Sequence, residues 1–151
     1  MPFPFLLKNT PEILQKTIVH SCSSILIKKT ILENIGLFDE NIKILDDRDL
    51  YIRILNKYKF IFIQKPLFNY YIHSNNATNK KNALKIIEDQ VFILKKYKNI
   101  YRNHPDIYFT KLKKIAEFYV INQRPKIARK FFIKAVKIKP LSKIYKYFFN
   151  F

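Results

Sequence analysis

Residues 36–54, GLFDENIKILDDRDLYIRI, gather Asp39, Glu40, Asp46, Asp47 and Asp49 beside Gly36, the chain's only glycine. The whole chain has 11 Asp+Glu against 29 Lys+Arg, a formal net charge of +18. A basic chain that concentrates acid in one short window has carboxylates available for proton abstraction. A carboxylate within hydrogen-bond reach of a hydroxyl can act as a general base. The plainer alternative is structural. Aspartates at a helix start satisfy free N–H groups and favour the helix dipole. Arg53 follows Asp49 by four residues, so an intrahelical ion pair is geometrically natural, and a solvated one would contribute under about 1 kcal/mol.

Something must position these residues. Ser23–Ile27 (SSILI) reads as a short buried strand. Thr30 reads as the cap of a helix over TILENI, ended by Gly36 in the left-handed conformation that glycine adopts most cheaply. The aspartates open a second helix through about Leu55. Lys59–Ile63 (KFIFI) and Leu67–Ile72 (LFNYYI) read as strands separated by Pro66. The polar run Ser74–Asn79 marks the expected boundary, giving domains at 1–79 and 80–151.

The second part reads as helices throughout. Leu84, Ile87, Val91 and Leu94 recur at helical spacing. Pro105 and Pro125 fit first turns. Leu112, Ile115, Tyr119 and Val120 share one face, and Ala128, Phe132, Ala135 and Val136 another, before Pro140 stops the helix. Leu112, Ile115, Ala116 and Tyr119, then Ala128, Phe132, Ala135 and Pro140, resemble the spacing of a single tetratricopeptide unit, with Leu112 where that unit has tryptophan. A solenoid needs about three units, so an ordinary helical hairpin is the plainer reading. The segment SKIYKYFFNF adds Tyr145, Tyr147, Phe148, Phe149 and Phe151 on a basic background, which could rest on a membrane surface or pack on the hairpin.

Thr17–Thr78 resembles the C-terminal, acceptor-side half of a family 2 glycosyltransferase with the GT-A fold. Four pieces carry the resemblance in order: SSILIKK, then ILENIGLFDE, then LDDRDLYIRI against an acidic Glu-Asp-x-Asp-Leu-x-x-Arg pattern, then PLFNYYIHSNNAT. It implies a partial GT-A sheet with short helices, α/β in class, followed by an all-α tail. It implies inverting transfer of a sugar from a nucleotide-sugar donor to an acceptor hydroxyl on a glycan or lipid. It also implies Asp47 as catalytic base with Asp46 bracing it, Asp39, Glu40 and Asp49 on the acceptor side, and His73 near a diphosphate or a divalent metal (Mg or Mn). Asp46 stands where the family has Glu, and Tyr71 where it has Arg. No Asp-x-Asp and no glycine-rich phosphate loop precedes Gly36. The expectation is therefore a truncated or split transferase, inactive without a separately encoded donor half, whose incomplete sheet would favour association with that half or with itself.

Composition bounds the rest. At 151 residues the chain is about one domain long, and 48% hydrophobic residues argue against wholesale disorder. A single cysteine, Cys22, excludes an internal disulfide and fits a reducing compartment; it reads as a small buried residue. No apolar run approaches the roughly 18–20 residues of a membrane span, and the N-terminus has no charged leader. The expected location is cytoplasmic, with peripheral contact at the inner membrane face as an option. A basic helical adaptor for protein or anionic membrane is the alternative function. The lysines read as scattered rather than gathered in one stripe, which disfavours nucleic acid.

Overall fold

The computed structural model describes residues 5–7, 14, 22–63, 65–74, 76–77 and 79–140. The aromatic segment 141–151, His20 and Thr78 lie outside them. The chain forms two compact units, residues 1–89 and 90–151.

In the first unit, a 3-10 turn at Cys22–Ser24 leads to helix α1, Lys29–Ile35. Gly36 ends α1 at φ 83, its N–H donating to Leu32 O at 2.8 Å. That φ is where glycine alone escapes the Cβ penalty. Thr30 does not cap α1: the capping position is Lys28, with no side-chain hydrogen bond. Helix α2, Asp46–Leu55, carries Asp46, Asp47 and Asp49 in its first turn and Arg53 in its last, the charge order its dipole favours. Leu50, Tyr51, Ile52 and Ile54 are buried along it. Leu14 and Ile42 are buried in the same unit, and the Tyr51 and Phe60 rings meet edge to face at 5.9 Å.

Among the described residues the expected GT-A sheet is absent, and most of them are helical. The strands are β1, Phe5–Leu7, and β2, Phe60–Phe62, paired antiparallel with Leu6 opposite Ile61. Two three-residue strands make a ribbon, not an α/β layer. SSILI is not a buried strand: it enters as the 3-10 turn and runs on with Leu26 at 99% exposure. LFNYYI is not a strand either, and Tyr71 and Ile72 stand at 77% and 89% exposure. The physical reason is pairing. An apolar run becomes a strand only where a neighbouring strand takes its N–H and C=O groups, and among the described residues no partner lies beside either run.

Helix α3, Ala83–Lys96, follows a 3-10 turn at Lys80–Asn82 that Asn79 caps through its side chain. In the second unit come α4, Lys98–Arg102, α5, Pro105–Ile121, and α6, Pro125–Ile138. Pro105 and Pro125 each open a helix where a missing N–H costs nothing. α5 and α6 pack on one another as a hairpin. Ala116, Ala128 and Ala135 are buried and let the backbones approach. Leu112, Ile115, Tyr119 and Phe132 are buried with them, and the Tyr119 and Phe131 rings stack at 5.8 Å. The reversal at Asn122–Arg124 puts Gln123 at φ 55, with Arg124 N–H donating to Tyr119 O at 2.8 Å.

Candidate functional site

The acidic cluster is held from three directions. Asp39 shapes its own turn, accepting from the Asn41 backbone N–H at 3.0 Å and from Asn41 Nδ2 at 2.9 Å. Lys43 Nζ donates to the Glu40 carbonyl at 2.7 Å. Asp89, from α3, then takes the N–H groups of the next three residues on one buried carboxylate. Its Oδ2 accepts from Ile44 at 2.7 Å, Leu45 at 3.0 Å and Lys43 at 3.2 Å, and Oδ1 accepts from Lys43 at 3.2 Å. That grip fixes the entry to α2. Below it, Arg48 Nη2 donates to Leu14 O at 2.6 Å.

The three aspartates of α2 have different fates. Asp49 is buried at 0% exposure and accepts from Arg53 Nε at 2.9 Å. Arg53 also donates to the carbonyls of Ile35 (2.8 Å), Gly36 (2.8 Å) and Leu37 (2.6 Å). The pair is thus not a solvated one. It clamps the turn after α1 onto α2.

Asp47 is half-buried. Its Oδ1 accepts from the Arg48 backbone N–H at 2.6 Å. Burial pushes its carboxyl above the usual range, and Asp46 pushes the same way. The Arg48 N–H and guanidinium oppose both. A partly desolvated carboxylate with a raised pKa is a group prepared to take a proton.

Asp47 has neighbours that spacing did not reveal. Tyr51, one helical turn on, is buried, and its hydroxyl has no hydrogen-bond partner among the described residues. Burial raises its pKa, with the Cys22 thiol and the Asp47 charge adding to the effect. Cys22 is exposed rather than buried. Partial desolvation at its sulfur raises its pKa, and the Asp47 charge adds to the rise. The charges of Asp46 and Asp47 therefore act on both Tyr51 and Cys22. The Asp47–Tyr51 relation is an i, i+4 spacing that could have been read from the sequence. Cys22, from a distant turn, could not.

Glu40 is on an exposed turn. His73 is on the exposed stretch before Asn76, its backbone N–H donating to Asn76 Oδ1. Among the described residues, no three His, Cys, Asp or Glu side chains group to hold a metal ion, and no helix is long and apolar enough to cross a membrane.

The raised Asp47 pKa has a stability consequence. A carboxyl whose folded value lies above its unfolded one disfavours the fold when ionised. The cost is complete above the raised value and vanishes as pH falls below the ordinary 3.8. Asp47→Asn is expected to raise stability near neutral pH, with the gain shrinking on acidification. Urea melts of both chains across the acid range check this; a gain that grows toward low pH would contradict it.

No family model matches the chain, and neither a curated protein nor a solved structure is significantly similar to it.

Proposed function

We propose that the first unit acts on the acceptor side of a sugar transfer, with Asp47 as the base that takes the proton from an acceptor hydroxyl. The observation that carries this is the division of labour within α2. Asp49 is committed to Arg53, whereas Asp47 is left partly desolvated with its pKa raised. It is also the second acid of the stretch LDDRDLYIRI, where the glycosyltransferase resemblance puts the base. Asp46, next to it, keeps the local charge negative and so holds up the basicity of Asp47. The donor pocket would come from residues other than 1–35, which contain no Asp-x-Asp and no glycine for a phosphate-cradling loop. The nucleotide-sugar donor that such a reaction uses would place it on the cytoplasmic side, and a divalent metal would belong to the donor portion.

The test needs no donor. Saturation-transfer NMR against a panel of oligosaccharides, combined with carboxyl-carbon titration, reads acceptor contact and basicity together. The expected result is binding of at least one oligosaccharide, an Asp47 carboxyl that titrates above the ordinary range, and a bound sugar that shifts that titration. Oligosaccharide binding that leaves the Asp47 carboxyl unmoved, or no binding at all, would sink the reading.

A further inference from the structure

The solvent face of α6 presents cations with no acid among them. Lys126, Arg129, Lys130, Lys134 and Lys137 are all exposed, and the helix PKIARKFFIKAVKI contains no carboxylate. At 100° per residue they fall within an arc of about 140°, along about 16 Å of helix. Ala128, Phe132 and Ala135 occupy the opposite, buried side. Four lysines and Arg129 thus form a stripe on this helix.

The rest of the unit offers this stripe no compensation. Asp106 and Glu117 are the only side-chain carboxylates between residues 90 and 151. Each is already paired, Asp106 with Lys139 and Glu117 with Lys113 at 3.4 Å. Lys134 also lies over the Phe131 ring at 5.6 Å. Among the described residues, no ion pair reaches the five cations of the stripe.

We propose that this face of α6 docks on an anionic bilayer surface. Three observations favour lipid over nucleic acid. Four of the five cations are lysines, point charges suited to diffuse headgroup attraction rather than to the planar, two-pronged contacts of arginine. Ile133 stands 40% exposed in the middle of the stripe, where an apolar side chain gains from the headgroup boundary and gains nothing against phosphates in water. The helix also shows no free aromatic face for base stacking: Phe131 stacks on Tyr119 and Phe132 is buried. The apolar side of α6 is engaged with α5, so the contact is peripheral and electrostatic, without insertion of the helix. It stands independently of the sugar-transfer reading.

The test is flotation of the full chain with vesicles of phosphatidylcholine alone, or with roughly one-third phosphatidylserine. The expected result is binding to the anionic vesicles and none to the neutral ones. Each neutralised cation should weaken binding about fivefold, so Lys130→Gln with Lys137→Gln should weaken it about 25-fold. Lys57→Gln with Lys59→Gln removes the same charge from exposed positions in the first unit, outside the stripe, and should weaken binding less than the stripe pair does. Ile133→Ala should weaken vesicle binding about threefold and leave binding to a duplex oligonucleotide unchanged. Circular dichroism verifies that each variant keeps its helix content. Equal losses from the two double variants, equal binding to neutral vesicles, or tighter binding to the duplex at matched phosphate would each overturn the proposal.

Discussion

Arg53→Met should lower stability by about 3–5 kcal/mol, the loss seen when one partner of a buried ion pair is removed. Asp49 is fully buried beside a guanidinium whose side chain is 18% exposed, so a surface-pair figure does not apply. The same substitution removes the donors to the Ile35, Gly36 and Leu37 carbonyls. Arg53→Lys should recover only part, because an ammonium cannot span four acceptors that a planar fork reaches. Asp49→Asn combined with Arg53→Met should cost less than Arg53→Met alone, because no ionised carboxylate is then left without its cation. Urea midpoints across this cycle provide the measurement. An Arg53→Met midpoint equal to that of the parent chain would mean the clamp adds nothing.

The second large effect is expected at Asp89. Asp89→Ala leaves the Lys43, Ile44 and Leu45 N–H groups without their acceptor in a partly buried turn. Hydrogen bonds to a charged group contribute more than neutral ones, and an abandoned donor carries its own desolvation cost. A loss of about 2–4 kcal/mol follows. Asp89→Asn keeps one acceptor oxygen and should lie between. Amide exchange reports the same event locally: the 43–45 amides should exchange faster in Asp89→Ala, whereas the α5–α6 amides should not. Unchanged protection at 43–45 would refute the capping role.

Much of the helical architecture was written in punctuation. Pro105, Pro125 and Gly36 each mark a boundary because backbone geometry at those residues is local and independent of context. The inward residues of α5 and α6 followed from the 3.6-residue period, for the same reason. The strands were a different matter. SSILI and LFNYYI have strand composition, but strand formation depends on a partner elsewhere in the chain, and composition does not reveal whether that partner exists. Asp89 was illegible for a related reason. On the helical wheel it lies opposite Leu84, Ile87, Val91 and Leu94, which places it on a solvated face. What buries it is a turn more than forty residues earlier, whose free N–H groups need an acceptor. Within the candidate site, the aspartates were evident from their spacing, but their roles were not. Only burial separates Asp49, clasped by Arg53, from Asp47.

The bonds of Asp89 have one more implication, for the order of assembly. They join residues 44 to 46 apart in sequence, whereas α5 and α6 meet across a three-residue reversal at Asn122–Arg124. Short loops close early and long ones late. The N–H groups of residues 43–45, which lead into Asp46 and Asp47, therefore gain this acceptor on a growing chain only after residue 89 has been made.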